Sequence, residues 1–414
     1  MKIAVVGSGI SGLGAAWLLS REHEVSVFEA NDYVGGHTHT HEIALGDASY
    51  RVDTGFIVCN PDHYPNFFRM LGELGVETQD TTMSFAVRNE RSGLEYNATD
   101  LDRLFIQRRN LLSPRFWSMV RGILRFYREA PALLDLPGEG PDLGDYLDAN
   151  GYGEAFRDDH LVPMASALWS SPSAQILKFP AKYLVAFMAN HQMMVTRDRK
   201  PWRVLRGGSN SYVRAMLANA AFAVRTNTPV RAVRRDENGV AVQLDSGSER
   251  FDQIVLACHS DQALALLADA SDREREILGA IGYQFNDTVL HTDVSLLPKH
   301  RKAWAAWNAL MLDDVRQACT VTYDMSQLQG IQAPENFCVT LNCSDRIDPA
   351  RILKRLRYHH PIYTRASVAA QARRDEISGQ KRTWYAGAYW GWGFHEDGMR
   401  SAVNVARALG VRWP

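Results

Sequence analysis

The sequence lacks long uncharged apolar runs, paired cysteines and a net charge of any size. No run of about 18 uncharged apolar residues occurs in the 414 residues, so we expect no transmembrane helix. The five cysteines include no CxxC pair, which argues against a disulfide framework or a thiolate zinc site and favours a reducing cytoplasm. A net charge of −1 provides no basic field for nucleic acid.

Several catalytic motifs are also absent. The sequence contains no HExxH, GxSxG or P-loop, so hydrolase and kinase functions have no support. A second GxGxxG for NADPH is missing, which argues against a reductase that binds two nucleotides. With 46% hydrophobic and 22% charged residues, the chain has the composition of a globular protein. Its 414 residues are enough for two domains.

The first thirty residues carry the pattern of a βαβ unit. The strand "KIAVVG" is followed by the helical "GSGISGLGAAWLLSRE" and by a second strand, "HEVSVFEA", that contains Glu29. Gly7 permits a tight turn, Gly9 lets the backbone approach a pyrophosphate, and Gly12 allows close packing of helix on strand. An acid at the end of the second strand can bond ribose hydroxyls. The pattern therefore predicts a dinucleotide site.

The stretch "VGGHTHTHE" places three histidines, His37, His39 and His41, at alternate positions. Alternate side chains of a strand share a face, so two of these histidines could bind one zinc ion. The neighbouring residues offer no set of further ligands, and we therefore predict no metal site.

The same stretch resembles a motif of the flavin amine oxidase and phytoene desaturase superfamily. In that superfamily a Gly-Gly doublet follows the second strand, and an arginine and then a serine or threonine come next. Gly35 and Gly36 match the doublet and Thr40 takes the serine or threonine place, whereas His37 stands where arginine is usual. The doublet is expected to lie along the pyrophosphate of FAD.

Two further stretches are similar to the same superfamily. "YRVDTGFIVCN" is similar to a strand that ends in Asp-x-Gly close to the flavin, and "WGFHEDGMRSAVNVARALG" is similar to a C-terminal segment that returns to it. The signatures "VDTGF" and "GFHEDG" resemble those of a bacterial subgroup of FAD-dependent oxidoreductases. Members are often encoded beside cyclopropane-fatty-acid-synthase-like methyltransferases, and some are linked to furan fatty acids.

The resemblance implies an α/β fold, with a glutathione-reductase-like Rossmann domain of the amine oxidase type and a second α+β substrate domain. The FAD-binding domain is expected in three parts, at residues 1–85, 203–265 and 376–414. The substrate domain is expected to have a helical part at 86–202 and a sheet part at 266–375. In the sheet part, His359 and His360 of "RYHHPIYT" are predicted to lie on a loop.

The resemblance and the motifs together define a set of FAD-binding residues. Val230 is included because the equivalent residue of the superfamily contacts adenine through its backbone. The predicted cofactor residues are Gly7, Ser8, Gly9, Ile10, Ser11, Gly12, Glu29, Ala30, Gly35, Gly36, His37, Thr38, Thr54, Gly55, Phe56, Val230, Gly387, Gly393, Glu396, Asp397 and Met399.

Three residues near the C terminus are candidates for catalysis. Hydride transfer to flavin N5 can proceed by orientation alone, because the cofactor carries the chemistry. If a side chain transfers a proton, His395 and Glu396 are the candidates, since they precede the helix beside the flavin. Phe394 resembles an aromatic residue that lines the substrate cavity of amine oxidases. The alternatives are structural hydrogen bonding for His395 and Glu396 and core packing for Phe394.

The function that the sequence favours is FAD-dependent oxidation or desaturation of an apolar, acyl-lipid substrate by hydride transfer to flavin N5. One alternative is a flavin-containing amine oxidase acting on a small amine. Another is a non-catalytic flavin-binding partner in a lipid-modifying complex, where a lipid methyltransferase would be the associated protein. NAD in place of FAD is a third alternative.

The segment 103–128 contains seven arginines, no acid and many apolar residues. Such a basic amphipathic stretch suits an anionic bilayer surface, so we expect a cytoplasmic protein with peripheral membrane contact. The alternative is a solvated helix that covers an apolar core. The arginines are Arg103, Arg108, Arg109, Arg115, Arg121, Arg125 and Arg128.

Overall fold

The computed structural model describes residues 1–169, 171–195, 201–312 and 320–413. The strands are β1 (Lys2–Val6), β2 (Glu24–Phe28), β3 (Thr40–Leu45), β4 (Ala48–Asp53), β5 (Val58–Cys59), β6 (Thr78–Thr81), β7 (Phe85–Asn89), β8 (Leu94–Asn97), β9 (Trp202–Leu205), β10 (Ala223–Arg225), β11 (Ala232–Asp236), β12 (Gly239–Leu244), β13 (Gly247–Phe251), β14 (Gln253–Leu256), β15 (Tyr283–His291), β16 (Trp307–Met311), β17 (Thr320–Asp324), β18 (Cys338–Leu341), β19 (Ile352–Pro361) and β20 (Thr383–Tyr385).

The helices are α1 (Ile10–Leu19), α2 (Pro65–Leu74), α3 (Leu101–Leu104), α4 (Pro114–Glu129), α5 (Leu143–Ala149), α6 (Glu154–Phe156), α7 (Val162–Trp169), α8 (Ser173–Ile176), α9 (Ala181–Asn190), α10 (Ser211–Ala218), α11 (Ser260–Leu266), α12 (Asp272–Gly279), α13 (Met325–Gln329), α14 (Arg365–Ala372) and α15 (His395–Ala408). Among the described residues, no helix has the length and apolar character needed to cross a bilayer. Cys319 lies outside the described residues, and the other cysteines are free thiols.

A five-stranded parallel sheet, in the order β10-β2-β1-β14-β20, forms the first unit. Its central strand is buried on both faces, which explains the unbroken apolar run that the sequence shows there. Ile3 and Val5 pack with α1 and α15, whereas Ala4 and Val6 pack with the meander β11-β12-β13. Alternate residues of one strand therefore join two separate cores, and α15 brings the C-terminal segment against α1.

A seven-stranded sheet, in the order β19-β15-β18-β17-β16-β7-β8, forms the second unit. It is antiparallel except for the parallel pair β7 and β16. Helices α3 to α9 follow β8 in the chain, so the segment 86–202 begins with strands of this sheet and continues as helices. The predicted α/β fold, with a Rossmann-type sheet and a second α+β unit, is confirmed.

The loop predicted at His359 and His360 is wrong. Both residues lie in β19, which pairs with β15 over its whole length. His359 is opposite Phe285 in the register, and the side chain of His360 hydrogen bonds with Asn286 Nδ2 at 3.1 Å. These cross-strand partners stabilise an extended conformation that the polar His-His pair and the following proline do not suggest.

Candidate active site

The glycine loop, residues 7–12, lies at the carboxyl ends of β1 and β14. Gly7 has a φ of +99°, and a Cβ on Gly12 would lie 1.9 Å from the carbonyl oxygen of Gly7. A Cβ on Gly9 would meet no atom within 4 Å, so this glycine faces open space. Helix α1 begins at Ile10 with no side-chain cap and no acid in its first turn. Its first N–H groups and its positive dipole end are therefore available to an anion.

The carboxylate of Glu29 connects three segments at this edge of the sheet. Its oxygens accept hydrogen bonds from Ser8 N at 2.9 Å, Ser8 Oγ at 2.6 Å and Asn31 N at 2.9 Å. Ser8 Oγ in turn accepts a hydrogen bond from Gly35 N at 3.2 Å. The glycine loop, the end of β2 and the Gly-Gly doublet are thereby held together.

The doublet contacts the glycine loop directly. Gly35 and Gly36 have φ values of +128° and +59°, and a Cβ on Gly36 would lie 3.0 Å from Gly9 Cα. The segment after β4 is equally close, because a Cβ on Gly55 would lie 2.1 Å from the carbonyl oxygen of His37. That oxygen accepts a hydrogen bond from Phe56 N at 2.7 Å. Three motifs that are far apart in the sequence thus meet through backbone atoms.

Buried polar atoms without a partner lie near the same edge. Among the described residues they include His37 Nε2, Tyr389 Oη and Trp390 Nε1. The His37 ring contacts Tyr358 and His360, with ring centres 5.1 and 5.5 Å away. Burial and the nearby His259 lower the pKa of His37 to about 4, so its ring is neutral at neutral pH. Buried polar atoms normally have partners, and Nε2 of His37 is suited to a polar ligand, whereas Tyr389 and Trp390 lie beside each other with ring centres 4.9 Å apart.

The other two histidines of "HTHTH" have protein partners. His39 stacks on Tyr33 with ring centres 4.1 Å apart and hydrogen bonds with Tyr358 Oη at 3.1 Å. His41 hydrogen bonds with Thr54 Oγ1 at 3.2 Å. Within the described ranges, no group of three histidine, cysteine or acidic side chains is arranged to hold a metal ion.

The C-terminal bend, residues 387–397, brings the three candidate catalytic residues to this region. His395 Nε2 hydrogen bonds with Thr38 Oγ1 and Tyr212 Oη, both at 3.0 Å. Its ring stacks on Phe56 with the ring centres 3.6 Å apart. Burial, and to a smaller extent the nearby His37, lowers the pKa of His395 well below its usual value. The structure therefore places at this position a neutral imidazole whose Nε2 is hydrogen bonded to two hydroxyl groups.

Glu396 caps a neighbouring helix. Its carboxylate accepts hydrogen bonds from Phe67 N at 3.0 Å, Asn66 N at 3.3 Å and Asn66 Nδ2 at 2.5 Å, at the start of α2. These N–H groups have no partner within their own helix, and a carboxylate also complements the helix dipole. Burial raises the pKa of Glu396, although these donors oppose the rise.

Asp397 caps its own helix and is also paired. Its carboxylate accepts a hydrogen bond from Phe394 N at 3.0 Å and forms an ion pair with Arg400. Burial is the main cause of the raised pKa of Asp397. Both carboxylates of the bend are thus engaged by protein groups.

Phe394 connects the bend to the helices of the second unit. Its ring stacks on Phe187 of α9 with ring centres 4.9 Å apart. The aromatic cluster around this pair comprises Trp169, Phe179, Tyr183, Phe187, His191, Tyr363, Trp392 and Phe394. Trp169 Nε1 and Tyr183 Oη donate to the carbonyl oxygens of Trp392 and Gly391 at 3.2 and 2.8 Å. The bend therefore packs against a mainly aromatic part of the core of the second unit.

Close packing aligns the start of α15 with the start of α1. A Cβ on Gly398 would lie 2.7 Å from Ile10 Cγ2, and one on Gly14 would lie 2.8 Å from Met399 Sδ. Within the bend, Gly387 N donates to Ser401 Oγ at 3.0 Å, and Gly393 has a φ of +90°. Both helices thus direct their N-termini to the same edge of the sheet.

The remaining predicted residues surround these contacts. Ala30 directly follows Glu29, Ser11 is in the first turn of α1, and Thr54 hydrogen bonds with Tyr358 Oη at 2.8 Å. Val230 packs on the core below the sheet, in a segment that is bonded to Glu29 through Thr228 N at 2.8 Å. Val230 therefore packs on the face of the parallel sheet opposite to α1, whereas the glycine loop, the doublet and the bend meet at the edge of the sheet.

The motif "VDTGF" marked Asp53, but the partners of this residue and of His395 could not be found from the local sequence. The buried carboxylate of Asp53 accepts hydrogen bonds from Ser209 N at 2.9 Å, Thr40 Oγ1 at 2.5 Å and Gln329 Nε2 at 3.0 Å. Burial raises the pKa of Asp53 to about 6. Tyr212 is equally unexpected as a partner of His395. The sequence signals for the contact between Asp53 and Ser209 are the aspartate of "VDTGF" and the glycine pair of "LRGGSN". Neither motif indicates that the other is its partner in the fold.

Comparison with known proteins assigns the family. Residues 10–286 match the family described as flavin containing amine oxidoreductase. This match covers more than half of the chain, and the protein belongs to that family. Its class is that of the FAD-dependent oxidoreductases, with FAD as the cofactor.

A curated relative is similar over a short segment. The 4,4'-diapophytoene desaturase (4,4'-diaponeurosporene-forming) of Staphylococcus aureus strain MRSA252 is 43% identical over 75 residues. This segment is 18% of the present chain and 14% of the relative's length, so the match leaves most of both proteins uncompared.

Solved structures share the whole fold at low identity. The CLA-producing fatty acid isomerase from P. acnes has a TM-score of 0.69 and 17% identity, with 98% of each chain covered. Cyclohexylamine oxidase from Brevibacterium oxydans IH-35A has a TM-score of 0.70 and 17% identity, with 99% of each chain covered. At this level of identity the similarity shows the fold.

The residues present fit FAD. The free N–H groups at the start of α1 and the open space at Gly9 suit a pyrophosphate. The carboxylate of Glu29 suits ribose hydroxyls, and the unpartnered Nε2 of His37 suits a polar ligand atom. The N-terminus of α15 lies at the same edge, but Asp397 caps it and two acids occupy its first turn, so its N–H groups are less available to an anion than those of α1.

Proposed function

We propose that the protein oxidises or desaturates an apolar acyl-lipid substrate, from which bound FAD would accept a hydride at N5 while the accompanying proton passes to water. The aromatic cluster at the C-terminal bend carries this proposal. Bound FAD supplies the hydride acceptor, and the protein supplies binding and orientation. Apolar side chains around the bend suit an acyl chain, which has no polar group to hydrogen bond.

A small amine would find few suitable groups at the bend. It is cationic in neutral water, and its recognition calls for a free carboxylate or for aromatic faces arranged around it. Glu396 and Asp397 are bonded to α2 and to Arg400, respectively. The rings of Phe187 and Phe394 stack on each other, so this pair does not form two walls of a cage around an ammonium group.

The polar residues of the bend have positioning roles in this proposal. His395 fixes the bend to Thr38 and Tyr212, and Glu396 fixes it to α2. Phe394 is the bend residue that would contact the substrate, since its ring faces the helices of the second unit. The desaturase and the fatty acid isomerase named above support a lipid substrate by analogy.

The test is anaerobic mixing of the purified, FAD-loaded protein with two probes. One probe is phosphatidylcholine with methyl-branched or unsaturated acyl chains, and the other is cyclohexylamine. We expect the lipid to bleach the flavin absorbance band and the amine to leave it unchanged. Bleaching by the amine alone would reject the lipid substrate, and no bleaching by either probe would favour a non-catalytic flavin-binding partner.

The similarity to the subgroup linked to cyclopropane and furan fatty acids supports the same substrate class. In that setting we also propose association with a lipid methyltransferase. Co-expression of the two proteins and their joint elution in size-exclusion chromatography would test it. Separate elution at micromolar concentrations would reject a stable complex.

A further inference from the structure

Exposed apolar side chains are concentrated in one segment of the second unit. We name this surface the docking patch and define it as Leu101, Leu111, Leu112, Trp117 and Leu124. Leu101 is 74% exposed and Leu112 is 89% exposed, and the other three are between 41% and 54% exposed. Single exposed apolar residues are ordinary on a protein surface, whereas five within 24 residues mark an interaction surface.

The docking patch does not coincide with the buried face of α4. Phe116, Met119 and Phe126 are the buried residues of this helix, and they pack on the core. Trp117 and Leu124 are seven residues apart and therefore lie on one face of the helix, away from that core. Packing of α4 on the apolar core accounts for its buried face, and the exposed face with Trp117 and Leu124 remains available for a partner.

Seven arginines lie in or beside the docking patch, and five of them form ion pairs with carboxylates: Arg103, Arg108, Arg115, Arg125 and Arg128. Arg121 lies between Trp117 and Leu124 on the exposed side of α4, and Arg109 precedes Leu111 by two residues. Within the described part of the chain, neither Arg109 nor Arg121 has a carboxylate partner. Exposed apolar side chains next to arginines without a carboxylate partner complement an anionic bilayer. In such a bilayer, a layer of negative headgroups covers the apolar acyl chains.

A basic cleft of about 720 Å³ opens beside the same segment. Its lining includes Arg109, Lys299 and the two carboxylates of Glu90 and Glu95. Both carboxylates are engaged, because Glu95 accepts hydrogen bonds from Lys299 N and His300 N at 2.9 and 3.1 Å and Glu90 pairs with Arg346 at 2.7 Å. The side chains of Arg109 and Lys299 thus leave positive charge in the cleft, which suits a phosphate headgroup.

We propose that the docking patch binds the surface of an anionic phospholipid bilayer. Leu111, Leu112 and Trp117 enter the headgroup region, while Arg109 and Arg121 contact lipid phosphates. This surface is independent of the proposed reaction, because it is defined by exposure and charge and not by the flavin. A protein partner or a second copy of the chain are the competing occupants.

The test is flotation of the FAD-loaded protein with vesicles at low salt. One vesicle preparation contains phosphatidylcholine alone, and the other contains phosphatidylcholine with about one third phosphatidylglycerol. The variants are Leu112→Ser and Arg121→Glu. Their matched controls are Phe285→Ser and Arg214→Glu, which change an exposed phenylalanine and an exposed helical arginine outside the docking patch.

We expect flotation with the anionic vesicles and its loss in about 1 M salt, where charges are screened beyond about 3 Å. Leu112→Ser is expected to weaken partitioning of the protein onto the vesicles about tenfold, because one leucine side chain is no longer buried in an apolar environment. Arg121→Glu is expected to weaken it by tenfold or more, because each basic residue near an anionic surface contributes about a fivefold factor. Both controls should float like the wild type.

Three results would overturn the proposal. The first is no flotation of the wild type with anionic vesicles at low salt. The second is flotation that the patch variants leave unchanged. The third is a dimer in size-exclusion chromatography that Leu112→Ser dissociates, since the docking patch would then bind a second copy. Flavin content and melting temperature, measured for each variant, exclude misfolding as the cause of a loss.

Discussion

The glycine loop and the C-terminal bend face the same edge of the parallel sheet, but they are constructed differently. The loop depends on backbone atoms and on the absence of side chains, as shown by the 1.9 Å between a Cβ at Gly12 and the Gly7 carbonyl oxygen. The bend depends on side chains that reach other elements, from His395 to Tyr212 and from Glu396 to α2. Changes in the loop should therefore affect cofactor binding, and changes in the bend should affect stability and substrate orientation.

The largest effect is expected at the loop, in Gly12→Ala. The added Cβ collides with backbone, which cannot move aside as a side chain can, so helix and strand must separate. We expect a loss of about 3 kcal/mol or more in the free energy of unfolding, together with loss of FAD. Urea unfolding of the apoprotein and the flavin-to-protein absorbance ratio are the measurements.

Gly9→Ala is the matched control for the loop. Its Cβ meets no protein atom and its φ of −67° suits alanine, so the apoprotein should keep its stability within about 1 kcal/mol. Its affinity for FAD should nevertheless fall at least tenfold, because the methyl group enters the space suited to the pyrophosphate. Unchanged FAD affinity in Gly9→Ala would contradict the assignment of this space to the cofactor.

The next effect is expected at the bend, in Glu396→Ala. Removal of the carboxylate leaves the N–H groups of Asn66 and Phe67 without an acceptor. We expect a loss of about 2–4 kcal/mol in the free energy of unfolding, since charged hydrogen bonds contribute about 1.5–3 kcal/mol each. Urea unfolding measures it.

Glu396→Gln is the control for that change, because its amide oxygen still accepts. The Glu396→Gln variant should lose about 1–2 kcal/mol in the free energy of unfolding and should retain its turnover per bound flavin. If Glu396→Gln abolished turnover while the stability stayed that of the wild type, the carboxylate would be a proton-transfer group and the contrast between loop and bend would fail.

A smaller effect is expected from Phe394→Ala, which removes a ring that stacks on Phe187. We expect kcat/KM with the acyl-lipid probe to fall about tenfold at unchanged FAD content, as orientation of the substrate is lost. Phe394→Leu retains an apolar side chain and should recover most of the rate. Equal activity of Phe394→Ala and wild type would show that Phe394 does not contact the substrate.

The smallest effect is a pH dependence at the bend. His395 is neutral in the folded protein because its pKa is lowered by burial, whereas in the unfolded chain it takes up a proton below about pH 6.5. Stability is therefore lost as the pH falls below 6.5, with a contribution from His395 of about 1.4 kcal/mol per pH unit. In the apoprotein, His395→Gln should reduce the slope of the free energy of unfolding against pH by that approximately 1.4 kcal/mol per pH unit. An unchanged slope between pH 6.5 and 5 would show that His395 is not held neutral.

The sequence predicted the loop much better than the bend. Gly7, Gly9, Gly12 and Glu29 are recognisable because each has a backbone or spacing requirement that is satisfied within thirty residues. The partners of Glu396 are about 330 residues away in the chain, and those of Asp53 lie at Ser209 and Gln329. Such pairs depend on how distant elements pack, and a single sequence holds no local signal for them.

The strand at His359 and His360 was also missed because it depends on pairing with a distant part of the chain. Their extended conformation depends on β15, and the polar side chains gave no alternating pattern from which a strand could be predicted. The docking patch is the opposite case. Four of its five residues lie in the predicted segment 103–128, and the structure adds Leu101 and shows which apolar residues are exposed.

The central claim is that the bend orients the substrate and transfers no proton. Its most direct test is the rate of flavin reduction by the acyl-lipid probe, measured anaerobically in a single turnover for wild type, His395→Gln and Glu396→Gln. We predict rates within about threefold of each other, once corrected for flavin content. A loss of about a hundredfold or more in either variant at unchanged flavin content, the size expected for a missing acid or base, would contradict the claim.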